Sequence, residues 1–258
     1  MSLIGKQKIH KLDQKKGEVM NYFFITGTSR GIGKAIAEEL LKNKKNYVYG
    51  ISRYNNIDHK NYEHIKLDLN ELDDVKKFTF PKVSEPKKVV LINNAGVLGH
   101  VIQVGYLEHE RIIQSYKINL ISPVMLTNQF IHQYQDEQCE KMIINTSSGA
   151  ADHTIPSWST YCSTKAGLEM FARVIDDEQK DKKEYPFKVF SIAPGVVDTE
   201  MQDEIREVDP ENFRELDRFI ELKKNNQLMD PTQVARRFAD VINNPQDYKE
   251  IVMDLRYI

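Results

Sequence analysis

The stretch Phe23-Phe24-Ile25-Thr26-Gly27-Thr28-Ser29-Arg30-Gly31-Ile32-Gly33, followed at once by Lys34-Ala35-Ile36-Ala37-Glu38-Glu39-Leu40-Leu41, decides how this chain folds. Its apolar start reads as a buried strand, the three glycines punctuate a turn, and the spacing of Ile36, Ala37, Leu40 and Leu41 reads as a helix. Strand, glycine-rich turn and helix in direct succession are the setting that a dinucleotide-binding fingerprint requires. In that reading Gly27 permits the tight turn, Gly31 lets the backbone approach a pyrophosphate, and Gly33 lets helix lie close on strand. Free N–H groups at the helix start then favour phosphate oxygens. A glycine turn with a purely structural role is the competing reading, and the rest of the chain decides between them.

Working outward, apolar runs at Tyr22–Thr26, Tyr47–Ser52, His64–Leu69, Lys88–Asn93, Lys141–Ser147, Phe187–Ala193 and Glu250–Asp254 read as strands. Helical segments are expected at Ile32–Lys42, Leu72–Phe80, Glu108–Gln133, Ser157–Glu178 and Pro231–Ile242. Strands alternating with helices predict an α/β chain: a Rossmann-like, doubly wound parallel sheet of seven strands with helices on both faces. No internal repeat or low-complexity linker interrupts residues 20–258, which read as one domain. Residues 1–19 are lysine-rich without an apolar core, so they read as a disordered or expression-derived leader, with Met20 a plausible natural start.

With 258 residues, 40% of them hydrophobic, the chain is long enough to bury a large core. A formal net charge of −2 argues against a general nucleic-acid surface. No apolar run reaches the roughly 20 residues needed to cross a bilayer, so no membrane partner is expected. Cys139 and Cys162 are too few for a disulfide framework, and the histidines show no ligand spacing, so no metal site is expected. Low cysteine use without a secretory signal points to the cytoplasm.

A second stretch, Asn145 to Lys165, carries groups for chemistry. The strand before it delivers Thr146, Ser147 and Ser148 to its carboxyl end, a loop with Pro156 follows, and a helix starts near Ser157 or Trp158. On that helix Tyr161 and Lys165 are one turn apart, about 6 Å along the axis, and share a face. A nearby ammonium favours the phenolate, which eases proton exchange with a substrate oxygen. A serine hydroxyl from the strand end can hold that oxygen. Tyr62 and Lys66 have the same spacing in a stretch that reads as strand, where the two side chains do not meet, so the spacing alone proves nothing.

Thr26-Gly27 with Gly31 and Gly33, then Asn93-Asn94-Ala95-Gly96, Asn119, Ser148, Tyr161 with Lys165, and Pro194-Gly195 follow one another in an order that resembles the short-chain dehydrogenase/reductase family from Tyr22 to the chain end. The resemblance implies that Tyr161 is the general acid or base and that Ser148, rather than Ser147, positions the substrate oxygen. It implies that Lys165 lowers the tyrosine pKa and binds the nicotinamide ribose, and that Asn119 completes a proton relay. Asn119 acting only as a helix-kinking or capping amide is the alternative. The expected nucleotide contacts are Gly27, Ser29, Arg30, Gly31, Ile32, Gly33, Arg53, Asp68, Leu69, Asn94, Ala95, Gly96, Tyr161, Lys165, Pro194, Gly195, Val197 and Thr199. A homodimer or homotetramer through Pro123–Tyr134 and Ser157–Asp176 is likewise implied.

The second strand ends Gly50-Ile51-Ser52-Arg53-Tyr54, with no carboxylate until Asp58 to hold a free ribose 2′-hydroxyl. Arg53 and Arg30 instead suit a 2′-phosphate, which predicts NADP(H). Beyond Pro194-Gly195, an amphipathic stretch with Phe213, Leu216, Phe219, Ile220 and Leu222 either covers the substrate or packs as ordinary helices on the sheet. Val197 to Gln202, Ile205-Arg206 and Ser157-Trp158 resemble sepiapterin reductases and bacterial benzil reductases, which act on adjacent carbonyl groups. Ser148, Trp158, Met201 and Asp254 are the expected substrate contacts. By that resemblance Asp254 anchors the amino-pyrimidine edge of a pterin; as a strand-end residue it pairs with Arg256 or is solvated. The expected function is an NADPH-dependent carbonyl reductase of a small-molecule ketone. An NAD-linked alcohol dehydrogenase and a non-catalytic nucleotide-sensing protein are the alternatives.

Overall fold

Seven strands, β1 (Asn21–Thr26), β2 (Asn46–Ser52), β3 (Tyr62–Lys66), β4 (Lys88–Asn93), β5 (Glu140–Thr146), β6 (Phe187–Ala193) and β7 (Val252–Asp254), form one sheet in the order β3-β2-β1-β4-β5-β6-β7, every pair parallel. The computed structural model describes residues 20–182 and 184–258, so the expected leader lies outside the described residues. The near-continuous apolar character of β1, β2, β4, β5 and β6 follows from burial on both faces, as a parallel sheet requires. Alternate side chains feed two cores. Phe23, Ile25, Val90 and Ile92 pack with α1 (Gly31–Leu41) and a C-terminal helix over Pro231–Asn243, while Phe24, Leu91 and Ile143 pack on the opposite face with Phe130 and Tyr134. Strand order reverses between β1 and β4, which opens a crevice at the carboxyl ends of the strands.

Three elements differ from the sequence expectation by more than two residues at an end or in continuity. β3 starts two residues and ends three residues before the expected His64–Leu69, because β2 sets its register by pairing Val48 with Tyr62 and Ser52 with Lys66. Leu67 and Leu69 are buried beyond the strand end, and their apolar character imitates a longer strand. α2 (Leu72–Lys77) stops short of Phe80, whose ring leaves the helix to pack edge-on against Phe24 and Phe130 at 5.2 and 5.1 Å.

The single helix expected over Glu108–Gln133 is three pieces: α3 (His109–Tyr116), a π-helical turn over Lys117–Ile121, and α4 (Ser122–Tyr134). Pro123 has no N–H to give the carbonyl of Asn119 one turn back, which breaks the regular ladder there. A long helix α5 (Ser159–Lys180), short helices α6 (Glu200–Arg206) and α7 (Leu216–Lys224), and α8 (Pro231–Asn243) complete the chain. Among the described residues no helix is long and apolar enough to cross a membrane.

The β1–α1 turn is held in close backbone contact with the helix that follows it. A Cβ on Gly33 would lie 2.4 Å from the Gly27 carbonyl oxygen and 2.4 Å from Asn94 Nδ2. The Gly27 oxygen is backbone and cannot swing aside, so Gly33→Ala is expected to cost about 1–3 kcal/mol and lower Tm by roughly 2–10 °C. Gly149→Ala, where a methyl meets nothing within 4 Å, is expected to leave Tm unchanged. Paired thermal melts of the two variants check this; equal melting temperatures would show that helix and turn are not in forced contact.

Candidate active site

The carboxyl ends of the strands open on one cavity of about 700 Å³. Residues from the β1–α1 turn, the end of β2, the segment after β4, the end of β5, the start of α5 and the segment after β6 all line it. At one end Gly27 and Gly31 have φ of +77° and +56°, a left-handed conformation natural to glycine. A Cβ on Gly27 would come within 3.0 Å of the Ala95 backbone, so nothing larger fits beside that strand end. No side chain caps the first turn of α1, and no acidic residue stands in it. Its amide groups are therefore left for a ligand oxygen, and this end fits the phosphates of a dinucleotide. Gly27 to Gly31 also spells the Gly-x-Ser-x-Gly pattern of hydrolases, but among the described residues no histidine is bonded to Ser29 to activate it.

Of the residues expected at the nucleotide, Gly27, Ser29, Arg30, Gly31, Ile32, Arg53, Asp68, Leu69, Asn94, Ala95, Gly96, Tyr161, Lys165, Pro194, Gly195, Val197 and Thr199 all line the cavity. Gly33 does not, because it is packed beneath the turn. Arg30 forms an exposed ion pair with Glu204 of α6 at 3.5 Å, whereas Arg53 rests against the Tyr54 ring and pairs with no described carboxylate.

At the other end Ser148, Tyr161 and Lys165 converge. Ser147 turns to α5, where its hydroxyl donates to Glu169, while the Ser148 hydroxyl interacts with Tyr161 and also accepts the Ala150 N–H at 3.2 Å. Lys165 is 4% exposed, and its Nζ donates to the Thr146 carbonyl at 2.8 Å, 5.7 Å from the centre of the Tyr161 ring. Burial holds its ammonium down to about 8. Burial likewise pushes the Tyr161 phenol up, opposed by the hydrogen bond with Ser148. Desolvation outweighs that hydrogen bond, so the phenol stands above its ordinary value.

Asn119 stands behind the cavity, fully buried in the π turn. Its amide accepts from Val97 N–H and donates to Val97 C=O, both at 2.8 Å, and reaches Thr164 on α5 at 3.3 Å. A Cβ on Gly96 would meet Asn119 Oδ1 at 3.3 Å and Lys165 Nζ at 3.5 Å, so the three residues meet at one point. The side chain ties the segment after β4 to the π turn and to α5, and stands beside the ammonium.

The amphipathic stretch after β6 does not pack on the sheet. Phe213 stacks on Trp158 at 5.4 Å and 11°, Phe219 leans on the same indole at 5.5 Å, and Ile205, Leu216 and Tyr161 belong to the same cluster. Trp158 and Met201 line the cavity, as do Gln202, Ile205, Arg218, Phe219, Arg256 and Tyr257. Asp254 does not line it: Arg256 clamps its carboxylate with Nε at 3.0 Å and Nη2 at 2.6 Å, which is the strand-end pair rather than the pterin anchor. Arg256 and Tyr257 carried no mark in the sequence beyond lying next to Asp254. Gln202 was marked only as the end of a motif.

Comparison with known proteins supplies the lineage. Residues 21–210 match the short chain dehydrogenase family model. A benzil reductase ((S)-benzoin forming) of Bacillus cereus is 37% identical over 240 residues, spanning 88% of this chain and 96% of that protein. A sepiapterin reductase of Xenopus tropicalis is 30% identical over 62% of this chain and 60% of its own length. The crystal structure of a short-chain dehydrogenase/reductase from Saccharomyces cerevisiae superposes with a TM-score of 0.78 at 29% identity, covering 91% of this chain and 95% of that one. The chain belongs to the short-chain dehydrogenase/reductase family and is an oxidoreductase similar to the benzil reductases.

Proposed function

We propose that this protein is an NADPH-dependent carbonyl reductase that reduces one carbonyl of a vicinal dicarbonyl, with Tyr161 as the proton donor. The observation that carries the reading is the convergence of Ser148, Tyr161 and Lys165 in the same cavity as the glycine turn. A nicotinamide nucleotide bound in the cavity supplies the hydride. Ser148 and Tyr161 hydroxyls meet on the substrate oxygen, and as that oxygen gains electron density Tyr161 Oη–H gives it a proton. The Lys165 ammonium, fixed on the Thr146 carbonyl, stabilises the phenolate that is left. A phenol pushed up by burial keeps its proton at neutral pH and so has one to give to the oxygen as it gains charge.

Arg53, unpaired with any described carboxylate, supports a 2′-phosphate and hence NADPH. The aromatic wall of Trp158 and Phe219 and the neutralised Asp254 favour an aryl diketone over a pterin side chain. The benzil reductases among the relatives support the same choice. Assembly of two or four copies through α4 and α5 belongs to this proposal too: Met170 and Val174 stand 60% and 48% exposed one turn apart on α5, and sedimentation velocity tests it.

Three outcomes are expected. Tyr161→Phe removes the proton donor and little volume, so turnover falls by roughly 10²-fold or more while NADPH binding is kept; normal turnover would overturn the mechanism. Arg53→Ala raises the apparent KM for NADPH about tenfold, the scale of a charge-assisted hydrogen bond, and leaves NADH nearly unaffected. An equal change with both nucleotides assigns Arg53 a structural role instead.

The third concerns pH. The folded Lys165 titrates at about 8, below its ordinary 10.5, so its ammonium is present below pH 8 and lost above it. Reduction measured as kcat/KM is therefore expected to decline as pH rises through about 8, with Tyr161 still protonated. In the same window the unfolded chain binds more protons than the folded one, so the stability penalty of the buried ammonium is greatest below pH 8 and fades towards 10.5. Lys165→Met is expected to raise Tm most at neutral pH while losing activity. A flat rate profile, or a Tm gain that grows with pH, would contradict this assignment.

A further inference from the structure

Two polar side chains on α6 lack the partners that their burial demands. Gln202 is 7% exposed and lines the cavity, yet its Oε1 is buried without a hydrogen-bond partner, and Nε2 bonds to no described residue. Arg206, four residues on and only 15% exposed, spends Nη2 on Asp203 and leaves Nη1 buried and unpaired. An acceptor and a donor at i and i+4 share one helix face and are complementary in kind. Oε1 is the buried end of the amide, on the helix face shared with the unpaired Arg206 Nη1, and the N–H₂ end is the one left for the cavity as a donor. Ile205, one turn along the helix from Gln202, packs in the cluster that holds Tyr161 and Trp158, so this face of α6 looks at the reacting end of the cavity.

A vicinal dicarbonyl brings two oxygens to that end. Ser148 and Tyr161 accommodate one of them, and no hydrogen bond of the mechanism serves the other. We propose that the Gln202 carboxamide donates to the second carbonyl oxygen, with Arg206 as its positioning residue, and that Gln202 thereby selects vicinal dicarbonyls over monoketones. This deepens the carbonyl reductase reading and rests on it. A buried donor placed for an oxygen is left unpaired by a substrate lacking that oxygen, and such a loss is what makes a polar site selective.

The test uses the full chain with NADPH, and two substrates that differ by one oxygen: benzil and deoxybenzoin. Gln202→Met keeps the length of the side chain and removes both polar ends; Gln202→Glu keeps its shape and replaces the donor with oxygen. For both variants kcat/KM for benzil is expected to fall about tenfold, with deoxybenzoin reduced at close to the wild-type rate and Tm unchanged. Arg206→Met is expected to lose part of the same discrimination and none of the deoxybenzoin activity. Equal losses on the two ketones, or undiminished benzil reduction by either Gln202 variant, would overturn the role given to Gln202 and leave the reductase reading standing. A wild-type chain that reduces neither ketone with either nucleotide would remove the reductase reading, and this proposal with it.

Discussion

A single ammonium group, Lys165 Nζ, held in the interior against the Thr146 carbonyl, is the constraint on which the active half of the molecule depends. Burying such a charge costs several kcal/mol even after relaxation, and a hydrogen bond to a charged group returns about 1.5–3 kcal/mol. The arrangement is thus kept at a net expense in stability, which burial registers by holding the group down to about 8. Its neighbours are chosen to fit it. Gly96 is a glycine where a Cβ would crowd both Nζ and the Asn119 amide, and the Asn119 amide ties the segment after β4 to the π turn and to α5. Tyr161 shares the dry environment, and its phenol keeps its proton for the same physical reason.

The cavity divides its labour by polarity. At the β1–α1 turn, uncapped amides and the cationic side chains of Arg30 and Arg53 suit an anionic ligand. Around Tyr161, Trp158 and Phe219 present apolar surface, with α6 and α7 laid over it. Excluding water there strengthens the few electrostatic contacts that act on the substrate oxygen. Two ties bind this cover to the nucleotide half: Arg30 with Glu204 on α6, and Asp198 with Lys223 on α7 at 2.7 Å. The two are exposed pairs that add little stability, so aromatic packing does most to hold the cover down.

Much of this was legible in the chain because it is local. The strand–turn–helix of Phe23 to Leu41, the Tyr161/Lys165 spacing and the alternation of apolar runs with helical segments each depend on residues within a few positions of one another. One local feature was misread: Pro123 inside an otherwise regular helical pattern marks the break that appears as the π turn at Asn119. Leu67 and Leu69 misled for another reason. Burial in the segment after β3 calls for apolar residues just as a strand does, and composition does not separate the two.

The sequence by itself determined the sheet, the nucleotide turn and the pairing of Tyr161 with Lys165 on one helix face, since short-range periodicity and spacing encode them, while the choice of Ser148 over Ser147 came from the family resemblance. Only the tertiary structure decided which side chains close the site. Trp158 meets Phe213 across 55 positions of chain, Arg256 reaches the cavity while holding Asp254 away from it, and Gln202 keeps an amide without a partner. Such pairings depend on where distant segments come to rest once the core is packed, and whether a polar atom finds a partner is a property of that packing alone.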